Sequence, residues 1–485
     1  MQLRGFNLLS FRSFGMRNPV VFIGLQLFLL VALASFVPYL SEHAWFGFAI
    51  ILVLLGFGFI FSQRLDWVFS PLTFFSVSYL GYAVGAIYYS IAGGVGKFSI
   101  LTGTEVEFWS YAPSVSLLLV LCFIGFGAGY LFGEFRIHGC RAKPPSREAA
   151  AGQKGKWLLS VYKPIVFISL FIGLVWWVYI AYTVSDGLWQ FIKEFQVFPH
   201  RVAEYGISTL PYHFYYAGIF LWLYVFLLKD ESPGVLFWLL SLVGVLINLT
   251  QGRVMLSATF LMSLLVALGV FRPVLRARIV YLLLGVVVLA IVAYVLRIYS
   301  NYSFIGKEFD LFDGGLVSSV LGSLVAGGNV PDLQQLVIIT HGWPHGSGVY
   351  GLTYLDGFRN MFSGLFGFEP SSVGLQIKEL YFPDRSGPPT PGAVGETYYN
   401  FGMFSPLFFV FVGFVLAKIY RHVLASGSAL LYIIYAIFLT RFVFMYPKVD
   451  STMIVNFLWG VGPFLFILLV SYLCWGFLRF GREFR

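Results

Sequence analysis

The sequence predicts an all-α, polytopic integral membrane protein with about twelve transmembrane helices, and its composition and its hydropathy pattern carry that prediction. Of 485 residues, 59% are hydrophobic and only 11% are charged, whereas about a quarter of a soluble domain is charged. The mean hydropathy is +0.83. A soluble globular protein is therefore excluded, and an aromatic content of 20% excludes intrinsic disorder.

The apolar residues form runs of about 17–25, the length that crosses roughly 30 Å of hydrocarbon. The block 234–271 is interrupted only by Gln251-Gly252-Arg253, which we interpret as a tight turn between two helices. The first run follows a basic stretch without a signal-peptide cleavage pattern, so we expect an uncleaved span. The predicted spans lie near 18–39, 44–62, 68–91, 113–135, 164–184, 212–228, 234–250, 254–271, 279–300, 403–420, 428–447 and 454–478.

The basic residues predict how these spans are oriented. Most of the 31 Lys and Arg residues fall on the side that holds both termini and the loop 136–163. The positive-inside rule places that side in the cytoplasm. The net charge of +9 then reflects topology, and we expect no nucleic-acid partner. No CxxC or HExxH motif is present, so we expect neither a metal nor another cofactor.

The spans divide the chain into three parts. Residues 1–300 hold helices 1–9 with a short outer loop at about 185–211, residues 301–402 form a long outer loop, and residues 403–485 hold helices 10–12. A loop of roughly a hundred residues is too long for a simple connector and indicates function. Within it, Pro331-Asp332-Leu333-Gln334 predicts the start of a short helix, with Pro in its first turn.

A group of arginines lies at the outer face, where the positive-inside bias does not call for cations. Arg253 begins a helix, so free N–H groups, the helix dipole and a guanidinium converge there on a candidate phosphate or diphosphate site. Arg297 lies inside the end of its span, where an ionisable residue suggests a buried partner or ligand. Alternatively, such arginines reach lipid headgroups or pair with loop carboxylates. The predicted diphosphate-binding residues are Arg201, Arg253, Arg297, Arg359 and Arg385.

The segment GAVGETYYNFG, residues 392–402, leads directly into the tenth span. Glu396 is a candidate general base for a sugar hydroxyl, and Tyr398, Tyr399 and Asn400 are candidate sugar-binding donors. Alternatively, Glu396 is a helix N-terminal charge that the dipole favours.

His341 and His345, in HGWPHG, are competing candidates for the base, or loop histidines packed against Trp343. For Arg441, inside the eleventh span, we predict a salt bridge within the bundle.

These features resemble the bacterial oligosaccharide repeat-unit polymerases of the Wzy type, which include O-antigen, enterobacterial-common-antigen and exopolysaccharide polymerases. The resemblance lies in the segments 70–89, 250–269, FPDRSG around Arg385, and 392–417. The last is the most specific, since ETYYNFG is similar to the family's E-x-Y-x-N-[FY]-G pattern. The paired arginine-to-glycine spacings described for family loops are not evident here, so the role of Arg201 rests on topology alone.

The resemblance implies a GT-C-like fold and a bacterial inner-membrane location, with the long loop in the periplasm. It implies that the growing chain leaves its undecaprenyl diphosphate when a hydroxyl of an incoming lipid-linked unit attacks, with inversion and without a metal. Arg253, Arg385 and Glu396 match motif positions. The implied partners are lipid-linked oligosaccharide, membrane lipid, and a chain-length regulator and flippase of the same pathway.

Three other functions remain open from the sequence. An O-antigen ligase shares the long loop and the arginines but passes finished polymer to a lipid A core. For a lipid-linked oligosaccharide flippase or other transporter we would expect charged residues on several spans, whereas these spans are nearly free of charge. A scaffold of a polysaccharide-export complex would leave substitutions of outer arginines silent.

Overall fold

Helices account for almost all of the chain that the computed structural model describes. One short antiparallel hairpin is the exception there, with strand β1 at Lys97–Ser99, strand β2 at Glu105–Glu107, and Phe98 paired with Val106. The predicted helical fold class is therefore confirmed. The described residues are 44–61, 69–91, 97–99, 105–135, 157–185, 187, 205, 210–250, 254–272, 275, 278–286, 288, 333–357, 359–360, 369, 371–382 and 389–483.

The helices are numbered in chain order. A π-helix, Leu439–Val443, follows α13 directly, and short 3-10 turns precede or follow several helices. The bounds are α1 Ala44–Phe61, α2 Pro71–Tyr79, α3 Gly81–Ile91, α4 Ala112–Phe135, α5 Leu158–Val184, α6 His213–Lys229, α7 Val235–Leu249, α8 Val254–Phe271, α9 Leu333–Gly342, α10 Val373–Tyr381, α11 Gly392–Phe401, α12 Ser405–Ser426, α13 Ala429–Phe438 and α14 Met453–Glu483.

Six helical segments of the described chain are long and apolar enough to cross a membrane, which makes this a membrane protein with several spans. They are Ala112–Glu134, Leu158–Val184, Leu210–Lys229, Val254–Phe271, Gly392–Ser426 and Met453–Phe477. Helices α7 and α8 lie where we predicted two helices around a tight turn. Helix α9 begins at Leu333, within the segment predicted to start a short helix, whereas Pro331 and Asp332 lie outside the described residues. The first predicted span, 18–39, lies outside the described residues, as does most of the ninth.

The apolar run at 68–91 contains two helices rather than one. Pro71 stands in the first turn of α2, and the Ser70 hydroxyl accepts a hydrogen bond from the Thr73 amide at 3.2 Å. Helix α2 ends at Tyr79, and α3 starts at Gly81 after a turn at Leu80. Hydropathy does not reveal this break, because both helices are apolar.

Helices α4 and α12 pack with their backbones in direct contact, and glycine makes this approach feasible. A β-carbon on Gly129 would lie 1.9 Å from the Val410 carbonyl oxygen, and one on Gly413 would lie 2.1 Å from that of Phe126. Such small residues are typical of helix interfaces in membranes, where close packing replaces the hydrophobic effect as the main attraction between helices.

Buried tyrosines join other helices by donating hydrogen bonds to backbone carbonyl groups. The Tyr79 hydroxyl donates to Leu119 at 2.7 Å, that of Tyr435 donates to Phe69 at 2.8 Å, and that of Tyr82 donates to Pro447 at 3.1 Å. These bonds satisfy hydroxyl groups that would otherwise be costly to bury. The bond from Tyr82 to Pro447 also fixes the loop after the π-helix against α3.

Ion pairs lie at one end of the bundle. Arg421, near the end of α12, pairs with Glu134 of α4, with Nε 3.1 Å from Oε1. Arg272, after α8, pairs with Asp230 after α6, with Nη2 3.1 Å from Oδ1. Helix α12 has 22 residues, so at 1.5 Å per residue about 33 Å separates this end from α11. The ends of the spans thus carry distinct sets of polar groups.

Candidate functional site

Glu396 lies at the centre of a buried polar cluster. It is in α11, whose residues from Gly392 to Asn400 are all buried, and only 2% of its own surface is exposed. One carboxylate oxygen accepts hydrogen bonds from the Thr353 hydroxyl at 3.1 Å and the Ser451 hydroxyl at 2.6 Å. The other accepts from the Ser451 amide at 2.7 Å. Glu396 therefore joins three separate parts of the chain.

Asn400, one turn after Glu396, completes this cluster. Its amide nitrogen donates to the Thr353 hydroxyl at 2.6 Å and to the Glu396 carbonyl at 2.8 Å. Its side-chain oxygen accepts from the Gly351 amide at 2.8 Å. Gly351 has a φ of +94°, a conformation that suits glycine. The E-x-x-x-N spacing thus places both side chains on one helix face, against the turn Leu352–Leu355.

Two further carboxylates lie close to this cluster. Asp450 is 5% exposed, and burial raises its pKa, although hydrogen bonds from Thr452 oppose that rise. Burial also raises the pKa of Asp356, against the lowering effects of its hydrogen bond from Ser371 and of the Arg359 guanidinium. The charge of Asp450 raises the pKa of Asp356 as well. The acids thus form an electrostatically linked group in which ionisation is disfavoured.

The two predicted sugar-binding tyrosines are buried and bond to residues of the predicted outer loop. The Tyr398 hydroxyl donates to the Pro344 carbonyl at 2.7 Å, and the Tyr399 hydroxyl donates to the Gln376 side chain of α10. The Tyr399 carbonyl accepts from both the amide and the hydroxyl of Ser347, at 2.7 and 2.9 Å. Tyr398, Tyr399 and Asn400 therefore use their polar atoms within the protein, and a sugar would need to exchange with these contacts.

The histidines have different surroundings. Nδ1 of His341, at the end of α9, lies 2.7 Å from the Tyr111 hydroxyl. The His345 side chain is exposed, and its carbonyl faces Gly402, where a β-carbon would lie 2.7 Å from that oxygen. Between them, the Trp343 ring packs edge-on against Tyr399 with centroids 5.0 Å apart. Of the two histidines, His345 is the one with a side chain open to a substrate.

Of the predicted diphosphate-binding arginines, the structure describes one. Arg359 is exposed and lies near Asp356. The other four, Arg201, Arg253, Arg297 and Arg385, lie outside the described residues. The predicted diphosphate site therefore stays a prediction.

Two of the segments that carry the family resemblance meet in the structure. A β-carbon on Gly392, at the start of α11, would lie 2.7 Å from the Tyr82 hydroxyl oxygen. The rings of Phe75 in α2 and Phe409 in α12 have centroids 6.1 Å apart. Residues 70–89 and 392–417 therefore form one packed unit, although more than 300 positions separate them in the sequence.

Sequence reasoning missed Thr353, Ser451 and Asp450. Asp450 and Ser451 lie between the last two predicted spans on the predicted outer side, so an acid beside a hydroxyl there was a usable signal. Thr353 gives no signal, because only folding brings it to Glu396. Within the described chain, no group of three or more His, Cys, Asp or Glu side chains is arranged to hold a metal ion.

Arg441 does not make the salt bridge that we predicted for it. It lies in the π-helix with 3% of its surface exposed. Within the described residues its guanidinium has neither an ion pair nor a hydrogen bond, and its Nε is buried without an acceptor. The predicted bridge assumed that a buried cation needs a protein carboxylate, whereas the charged or polar groups that act on it electrostatically are Tyr212 and Tyr216.

Comparisons with protein-family models, curated proteins and solved structures gave no match to this chain.

Proposed function

We propose that this chain is a membrane glycosyltransferase that polymerises undecaprenyl-diphosphate-linked oligosaccharide repeat units. In this proposal it has twelve spans in a GT-C-like arrangement in a bacterial inner membrane, with both termini in the cytoplasm. The long loop is then periplasmic, where the lipid-linked units are joined. A chain-length regulator and a flippase of the same pathway would be its protein partners.

The observation that carries this proposal is the packing of the ETYYNFG segment. Its acid and amide bind two separate loops through Thr353, Ser451 and Gly351, at the end of a bundle of apolar helices. A buried polar cluster is costly unless its groups are hydrogen-bonded, and here those bonds fix two loops against α11. The loops that it organises carry the exposed His345 and Arg359.

The proposed reaction follows from the chemistry of a lipid diphosphate. A hydroxyl of the incoming unit attacks the anomeric carbon of the growing chain, and the bond from that carbon to the diphosphate oxygen breaks. The leaving diphosphate gains negative charge, which Arg253 and Arg385 would stabilise in this proposal. Binding both lipid-linked substrates in one groove would supply proximity.

The hydroxyl proton needs an acceptor, and the geometry separates the candidates. Glu396 is buried with all three described hydrogen bonds arriving at its carboxylate from uncharged donors. It would act as the base only after the Leu352–Leu355 turn moves and a sugar hydroxyl replaces Thr353. His345 needs no such movement, because its side chain is already exposed. We therefore assign Glu396 first to positioning this turn.

Deleting the gene in its native host and separating the surface glycans on a gel tests this proposal. We expect glycans that carry at most one repeat unit, because units would be made, flipped and attached but not polymerised. Full-length polymer retained on its lipid carrier would indicate a ligase instead. Single lipid-linked units retained on the cytoplasmic side would indicate a flippase, and an unchanged ladder would contradict a role in that glycan.

A further inference from the structure

Arg441 is a buried cation for which the described chain provides no counterion. Its π-helix packs against α8 and α14, and Thr440 beside it bonds to Ser263 of α8 at 2.6 Å. A β-carbon on Gly460 of α14 would lie 3.0 Å from both Cδ and Nη1 of Arg441. Gly460 therefore leaves space at the guanidinium that any other residue would fill.

The remaining neighbours are polar aromatic side chains at the start of α6. Tyr212, which directly precedes α6, and Tyr216, in its first turn, lie within electrostatic range of the Arg441 guanidinium. His213, between them in sequence, stacks on Trp459 with centroids 5.9 Å apart. Trp459 is 36% exposed, so this group of rings extends from the guanidinium to the surface of the bundle.

An uncompensated guanidinium in the interior of a membrane protein is energetically expensive. Elsewhere in the described bundle, the less buried Arg421 is paired with Glu134 at 3.1 Å. The π-helix that carries Arg441 also indicates a functional site, because single π-turns within helices occur frequently at such sites. A bound anion would neutralise Arg441 and offset its cost.

We propose that Arg441, with the tyrosines and Trp459 around it, binds a phosphate-bearing anion, and that this anion is the diphosphate of a polyprenyl-linked substrate. A guanidinium matches phosphate oxygens with two parallel hydrogen bonds. The exposed aromatic side chain suits the prenyl chain next to the diphosphate. The choice of a lipid-linked substrate rests on the proposed function, whereas the anion site rests on the geometry alone.

The site lies at the same end of the bundle as the Glu396 cluster. The chain leaves the π-helix at Val443 and reaches Asp450 and Ser451 through a series of turns. Ser451 then binds Glu396. A diphosphate at Arg441 would therefore lie close, along the chain, to the segment that holds the ETYYNFG motif in place.

Thermal unfolding of the purified full-length protein in detergent tests this site. Polyprenyl diphosphate should raise the melting temperature of the wild type, whereas the matching polyprenyl alcohol should not. For Arg441→Met we expect binding of polyprenyl diphosphate to weaken about tenfold to a hundredfold, the value of hydrogen bonds to a charged group. Without ligand this variant should melt at or above the wild-type temperature, because an unpaired buried charge has gone.

Arg421→Met is the matched control. It leaves Glu134 buried without its partner, so it should melt at a lower temperature while it still binds polyprenyl diphosphate. Inorganic diphosphate and phosphatidylglycerol, tested separately, distinguish the source of the anion. Stabilisation by either one that depends on Arg441 supports the anion site but assigns it to a free anion or a membrane phospholipid.

Unchanged stabilisation by all three anions in Arg441→Met would overturn the site. So would a failure of all three anions to stabilise the wild type, a result that also decides the case if Arg441→Met does not fold, because Arg441 would then be structural. Neither result depends on polymer formation. If the anion binds but deletion of the gene leaves the glycan ladder unchanged, the site stands and the polymerase proposal fails.

Discussion

At the scale of single residues, the two buried acids Glu396 and Asp450 should respond in opposite ways to loss of charge. Both oxygens of Glu396 are hydrogen-bond acceptors, from Thr353 and Ser451. In Glu396→Gln, the NH₂ group can face only the Thr353 and Ser451 hydroxyls, which must turn to accept its hydrogens. The Thr353 hydroxyl already accepts from Asn400, so we expect the free energy of unfolding to fall by about 1–3 kcal/mol. Thermal unfolding measures it. Wild-type stability in Glu396→Gln would contradict the hydrogen-bonding geometry.

Asp450 accepts the described hydrogen bonds from Thr452 through one oxygen, Oδ1, which an asparagine keeps. Burial raises the pKa of Asp450, so the folded state holds the proton of this carboxyl group more tightly than the unfolded state does. The free energy of unfolding therefore falls as the pH rises through the folded-state pKa. Asp450→Asn should therefore raise the melting temperature at neutral pH and flatten its decline with pH. A lower melting temperature at every pH would show that the charge itself is needed.

A third prediction for single residues concerns the two predicted diphosphate-binding arginines, Arg253 and Arg385. Arg253→Ala and Arg385→Ala should each abolish polymer in the deletion strain, because the leaving diphosphate would lose a stabilising cation. Glycan gels and immunoblots of the membrane fraction measure polymer and protein together. Arg272→Ala is the control, since Arg272 pairs with Asp230 near the predicted cytoplasmic end, and should leave polymer intact. Normal polymer from both outer variants would contradict the diphosphate site predicted at Arg253 and Arg385.

At the scale of elements, the α4–α12 interface depends on the absence of a side chain at Gly129. Gly129→Ala would place a methyl group 1.9 Å from the Val410 carbonyl oxygen, so the helices must separate. We expect the free energy of unfolding to fall by about 1–3 kcal/mol or more, as it does for overpacked cores. A lower melting temperature measures this loss. Gly462→Ala in α14 is the matched control, because its β-carbon meets nothing within 4 Å. Equal effects of the two substitutions would contradict the close packing.

The sequence predicted the positions of some helices well and missed other features of the fold. Apolar runs located α4, α5, α6 and α8 because a span must satisfy its backbone internally and is recognisable by length. The break between α2 and α3 was missed, since both helices are apolar and the turn at Leu80 leaves hydropathy unchanged. The contacts of Glu396 were missed for a different reason: Thr353 and Ser451 reach it only through tertiary folding.

At the scale of the whole molecule, the proposed topology places Tyr350 outside the cell membrane and Glu231 inside. Both residues are exposed in the structure, and Tyr350 is 81% exposed. In a background without native cysteines, a membrane-impermeant thiol reagent should label Tyr350→Cys in intact spheroplasts. It should label Glu231→Cys only after permeabilisation. The reverse pattern would invert the topology and with it the location of the Glu396 cluster.

The measurement that tests the central claim most directly is polymerisation by the purified protein in liposomes. Lipid-linked single repeat units, extracted from the deletion strain, would be the substrate, and gels with mass spectrometry would resolve the products. We predict a ladder of repeat-unit multiples, with one undecaprenyl diphosphate released for each bond formed. Single units that stay unchanged beside folded, correctly oriented protein would contradict the claim that this chain is the polymerase.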